Sequence, residues 1–297
     1  MNLDDDLESL FHGTPLLSAV ARACWQVTPL GGITNRSYRL RAEGRDLVLR
    51  LPGAGASRYL DREAAVDNAR KVAALDLAPK VLASDPASGW YITAFETGGR
   101  PLTAVEFGRR EVLQEVVQLL TRLHRSDIRF PSQQNLFQAI DLYLELAPTE
   151  KMMRLRRRLD PVETALKRNR MMLAPCHIDP SPANFLRCAD GRLLLLDWEF
   201  AAMEEPIWDL AAVALEAGLD DATIHEAIEP VVGRTQIPRF ELYKTTLNLV
   251  AASWCEAEIR AGNDARDLIG LREQAIARLE RRLADPRHLI WLDQASI

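Results

Sequence analysis

The chain is short of several things at once. Of its 297 residues only four are cysteine, Cys24, Cys176, Cys188 and Cys255, and no two of them form a C-x-x-C pair. That number and spacing argue against a disulfide scaffold and against a thiolate zinc site, and a reducing compartment, the cytoplasm, is the expectation. No apolar run approaches the roughly 18 residues that a membrane-spanning helix needs. The opening stretch MNLDDDLESLF is acidic where a secretory leader is basic, which also points to the cytoplasm. Positive charge is not in excess either. With 37 Lys and Arg against 42 Asp and Glu, the formal charge is −5, so neither nucleic acid nor an anionic membrane is an expected partner. Internal repeats and low-complexity stretches are missing as well.

What is present is ordinary for a globular chain, with 47% hydrophobic and 27% charged residues. The length suggests two domains or one large two-lobed unit. The first hundred residues read as strands with one helix. YRLRAEGRDLVLRL alternates in period two about Glu43-Gly44, a hairpin signature that puts Leu47, Leu49 and Leu51 on one face and Val48 and Arg50 on the other. YLDREAAVDNARKVAAL suits an amphipathic helix, and KVLASDPASGWYITAF a second hairpin closed by DPASG. After ETGGRP the pattern turns helical. Val112, Val116, Leu119, Leu120 and Leu123 recur at spacings of three and four, and the basic run EKMMRLRRRLDPVETALKRNRMM reads as a solvated helical face. Strand-like pieces follow near APCHID and RLLLLDWEF, then helices to the end. Gly98, Gly99 and Pro101 mark the expected hinge, with an N-terminal lobe over 1–96 and a C-terminal lobe over 97–297.

The stretch CHIDPSPANF places Asp179 two residues after His177 and Asn184 five residues after Asp179, with Pro180 and Pro182 between them. Proline lacks the amide hydrogen that a ladder needs, so the two polar side chains should stand on a rigid loop. Asp197 follows the apolar run RLLLL. A carboxylate to accept a hydroxyl proton, with an amide oxygen and a second carboxylate to hold magnesium, is the minimal equipment for phosphoryl transfer from a nucleotide. Hard oxygen donors suit Mg²⁺ better than zinc. His177 reads as a structural residue that holds the loop. Pro206 suits the first turn of a helix, and Asp209 near that helix's N-terminus is stabilised by the free amides. Seven residues on, Glu216 shares its face.

The ordered set H-x-D-x-x-x-x-N, then D-x-E at Asp197 and Glu199, then Asp209 and Glu216, resembles the choline/ethanolamine kinase-like branch of the aminoglycoside phosphotransferase superfamily. The resemblance implies an α+β, bilobal protein-kinase-like fold, with a small antiparallel N-terminal sheet plus one helix and a large, mainly helical C-terminal lobe. It implies an ATP- and Mg²⁺-dependent kinase of a choline-like amino alcohol, with Asp179, Asn184 and Asp197 catalytic and Asn184 and Asp197 on the metal. Asp209 would brace the catalytic loop, with capping of its own helix as the alternative.

On the nucleotide side, LGGITNRSY sits between two strands and can approach phosphate through Gly31 and Gly32, with Thr34 and Asn35 as donors. Arg50 stands where protein kinases carry their phosphate-pairing lysine, and Glu63 is the expected ion-pair partner that steadies it. Adenine would lie near Ala94 to Glu96. For the acceptor, a quaternary ammonium needs aromatic faces and carboxylates. In a chain that is only 6% aromatic, Trp208 and Trp254 with Glu199 and Glu216 are the candidates. Ala251 stands where choline kinases commonly carry a further tryptophan, so thiamine, aminoglycosides and sugars stay open as acceptors. A catalytically silent nucleotide-binding protein also stays open.

Overall fold

The structure is a computed structural model that describes residues 3–31, 35–53, 60–263 and 267–296. Gly32 and Thr34 lie outside the described residues. The fold is α+β and divides into two compact units, Met1–Arg100 with Arg187–Glu199, and Pro101–Leu186 with Phe200–Ile297. Sequence order alone places a single cut at 96/97. The structure instead groups Arg187–Glu199, and with it Asp197 and Glu199, with the first unit. Among the hydrogen bonds that tie that segment there are Leu195 N–H to the Leu77 carbonyl at 2.8 Å and the Asn68 amide to the Trp198 carbonyl at 3.4 Å.

The first unit is built on an antiparallel sheet in the order β1 (Gln26–Gly31), β2 (Asn35–Ala42), β3 (Arg45–Pro52), β5 (Trp90–Ala94), β4 (Val81–Asp85). Strands β2 and β3 meet at a two-residue turn in which Glu43 and Gly44 both have positive φ, the twist that suits a tight hairpin. Burial alternates along β3 as the sequence pattern requires, with Leu47, Leu49 and Leu51 inside. These pack with Tyr38, Leu40 and Ile92 against Leu7, Phe11, Leu17 and Trp25. The helix Leu3–Gly13, which supplies Leu7 and Phe11, was not legible as a helix in the sequence. Opposite the core face, Arg50 points away from it. The helix Arg62–Ala73 follows β3 and is capped by Asp61, whose carboxylate accepts the Ala64 amide at 3.1 Å.

The second unit is mainly helical. Its longest helix, Ile237–Arg260, is buried over most of its 24 residues, and the helices Leu136–Leu146, Ile207–Ala217, Leu268–Ala284 and Arg287–Ala295 pack on it. The helix Arg110–His124 buries Leu113, Val116, Val117, Leu119, Leu120 and Leu123. The basic run is two helices, Glu150–Arg158 and Asp160–Arg168. Pro161, which has no amide hydrogen to give the preceding turn, opens the second of them. A short strand, Ala174–Cys176, pairs antiparallel with Ala202–Glu204. This pair sets down the HxD loop at one end and leads into the helix Ile207–Ala217. Among the described residues no helix is long and apolar enough to cross a membrane.

Candidate active site

In the second unit the loop after Ala174–Cys176 is locked by its own polar groups. Pro182–Asn184 form a 3-10 turn. Ser181 N–H reaches the Asp179 carbonyl at 2.9 Å, and Asn184 N–H reaches the Ser181 carbonyl at 2.9 Å. The Asn184 amide nitrogen donates to the Asp179 carbonyl at 2.8 Å and to its carboxylate at 3.1 Å. Asp179 is exposed. With Nδ2 engaged, Oδ1 is the atom Asn184 can turn to a hard cation.

Behind this loop the carboxylate of Asp209, fully buried, accepts the amides of His177 and Ile178, each at 2.8 Å. His124 Nε2 lies 2.8 Å from the same carboxylate. Asp209 therefore binds the loop and makes no cap to its own helix. His124, Cys176 and Asp209 are close enough together to suggest a metal. The carboxylate, however, already serves two backbone amides, and burial, together with Asp209, pushes the Cys176 thiol well above its ordinary pKa. This is a brace.

In the first unit a buried cation is set among carboxylates. Arg50, whose side chain is only 12% exposed, forms ion pairs with Asp197 and with Glu199, the latter at 3.1 Å, and donates to the Tyr91 hydroxyl at 3.2 Å. Burial by itself would lower the Arg50 pKa, but the carboxylates of Asp197 and Glu199 outweigh it and hold the guanidinium well above its usual value. Asn35 donates to the same Glu199 carboxylate. Asp197 has a φ of 67°, the left-handed region that a non-glycine residue seldom adopts. Its side chain stays 31% exposed.

Several expected roles differ from what is found. Arg50 takes Asp197 and Glu199 as partners in place of Glu63, which stands exposed in the first turn of Arg62–Ala73. The pairing fails because the carboxylates returning on the segment 187–199 reach the guanidinium, while Glu63 faces solvent. Glu199, read as an acceptor ligand, is the buried member of this ion-pair group. Trp208, read as a wall of the acceptor site, is 2% exposed, and its indole N–H donates to the Ile178 carbonyl at 2.9 Å. A ring so enclosed has no open face for a cation. Trp254 is half-buried, with its indole nitrogen shut from solvent and without a hydrogen-bond partner among the described residues, and Glu216 is exposed. Gly31 ends β1 with a φ of 85°, and Asn35 begins β2. The sequence reading missed Tyr91 and His124. His124 did leave a signal, a histidine closing an otherwise apolar stripe.

These features place the chain by class. It belongs to the phosphotransferase enzyme family, whose model matches residues 26–234. Among curated relatives, protein LicA of Haemophilus influenzae is 28% identical over 214 residues, which is 69% of this chain and 62% of that protein, so the chain spans about three-fifths of its relative's length. Among solved structures, a choline/ethanolamine kinase family protein from Mesorhizobium loti is 26% identical, with a TM-score of 0.83 over 99% of each chain. The choline kinase LicA from Streptococcus pneumoniae shares the fold at 20% identity, with a TM-score of 0.81 over 94% of this chain and 99% of that one.

Proposed function

We propose that the protein transfers the γ-phosphoryl group of ATP to the hydroxyl of a small cationic alcohol of the choline or ethanolamine class. The observation that carries this reading is the locked pair of Asp179 and Asn184. One amide group fixes the carboxylate with its nitrogen and keeps its oxygen for a cation. The names of the relatives support the acceptor class, and the family supports the reaction type.

In this reading Asp179 orients the acceptor hydroxyl and takes its proton as the oxygen attacks. The new bond forms between that oxygen and the γ-phosphorus, the bond to the bridging oxygen breaks, and ADP leaves with the electron pair. Asn184 Oδ1 in the second unit and the part-exposed Asp197 carboxylate in the first are each a hard oxygen of the kind that magnesium takes. A magnesium ion bound with ATP would neutralise charge on the phosphates. Arg50, held between Asp197 and Glu199, supplies a fixed positive charge for phosphate oxygens. Adenine would lie near the backbone of Ala94 to Glu96. The amides of Ala94 and Phe95 already donate to the carbonyls of Lys80 and Asp46.

Purified protein with ATP and Mg²⁺, assayed for ADP across choline, ethanolamine, thiamine, aminoglycosides and sugars, tests the reading. The highest turnover is expected with choline or ethanolamine. A preference for another acceptor would reassign the substrate, and no ADP with any acceptor would overturn the reaction.

A further inference from the structure

Ile178 stands between His177 and Asp179 with a φ of 75°. Left-handed backbone is a conformation that a β-branched side chain avoids, so something must hold it. Both backbone polar groups of Ile178 are gripped by adjacent residues in the first turn of the helix Ile207–Ala217. Its N–H goes to Asp209 at 2.8 Å, and its carbonyl accepts the Trp208 indole N–H at 2.9 Å. His124, its side chain buried, meets the other oxygen of the Asp209 carboxylate, the one that accepts the His177 amide, at 2.8 Å.

We propose that Trp208 is a positioning residue for Asp179, acting through the Ile178 carbonyl, with His124 fixing the Asp209 carboxylate beside it. The inference rests on the phosphotransfer reading for its functional consequence, but the brace itself is a property of the loop. Packing does not explain the indole. A phenyl ring would fill much of the same enclosed space, and only the N–H bridges to the peptide that sets the direction of Asp179. Without that bridge the left-handed state must compete with the ordinary basins of a β-branched residue, and Asp179 loses its fixed aim.

The test compares wild type, Trp208→Phe, Ile178→Gly and the double variant. Trp208→Phe should lower kcat roughly threefold to tenfold, as for one lost hydrogen bond, with the KM for ATP unchanged. In the Ile178→Gly background, where the left-handed conformation is free of side-chain strain, the same change should cost less than about twofold. Unchanged kcat in Trp208→Phe, or the same loss in both backgrounds, would overturn the proposal. If wild type forms no ADP, the assigned reaction fails, and amide hydrogen exchange by NMR reads the brace alone. Faster exchange at Ile178 in Trp208→Phe supports it, and unchanged exchange overturns it.

Discussion

Glu204 should give the fold a pH dependence that one substitution removes. It is 1% exposed, and one of its carboxylate oxygens has no hydrogen-bond partner among the described residues. The other accepts the Glu205 amide at 2.8 Å, with the Tyr243 hydroxyl at 3.5 Å and the half-exposed Arg170 guanidinium at 3.7 Å. Glu205 adds a like charge, and Arg239, which could have neutralised Glu204, is engaged bidentately by Glu205 at 2.6 and 2.7 Å. Burial therefore dominates, and the Glu204 carboxyl rises to about 7. Between the unfolded value near 4.5 and this one, the native state keeps a proton that the unfolded chain has released. Stability must fall as pH rises across that window, by about 3 kcal/mol at most.

Glu241 acts in the opposite sense. His225, Lys244 and Arg282 outweigh its burial and hold it at about 2, so its contribution is lost as pH falls below the ordinary carboxylate range. Glu204→Gln is neutral at every pH. Its stability should match wild type near pH 5 and exceed it by up to about 3 kcal/mol near pH 8. Denaturant unfolding of both proteins at pH 5, 6, 7 and 8, followed by fluorescence, reads the difference. Two curves offset by a constant amount at all four pH values would refute the reasoning.

Two further outcomes follow from the first unit. Arg50→Ala leaves Asp197 and Glu199 facing one another without a cation and should destabilise that unit by about 3 kcal/mol, whereas Arg50→Lys, which keeps the charge, should lose clearly less. Urea unfolding ranks them, and equal losses would contradict the role of the charge. Asp197→Ala should abolish the magnesium dependence of ATP binding, and calorimetry showing wild-type affinity and magnesium dependence would remove Asp197 from the metal.

Local spacing carried the legible part. The period-two run around Glu43-Gly44 gave β2 and β3 with the correct faces, because strand burial alternates with the covalent pattern itself. The loop from His177 to Asn184 was legible because two prolines and a hydrogen-bonding amide act within eight residues. Choices made across long sequence separations were hidden. Arg50 and Asp197 are 147 positions apart, and the local order of elements favoured Glu63 simply because it comes next along the chain. Trp208 looked like an exposed aromatic wall because composition does not say which face of a helix is buried, and that face is chosen by the loop it packs under. The helix Leu3–Gly13 escaped because a short acidic segment is stabilised by Leu7 and Phe11 docking on the sheet.

The central claim is that Asp179 activates an alcohol toward the γ-phosphate, and phosphorus NMR of the protein with choline or ethanolamine, ATP and Mg²⁺ addresses it most directly. Wild type should build a phosphomonoester resonance in step with ADP. Asp179→Asn, which keeps the shape and the contact to Asn184, should do so roughly a hundredfold to ten-thousandfold more slowly. ADP accompanied only by inorganic phosphate, or an Asp179→Asn protein as fast as wild type, would contradict the account.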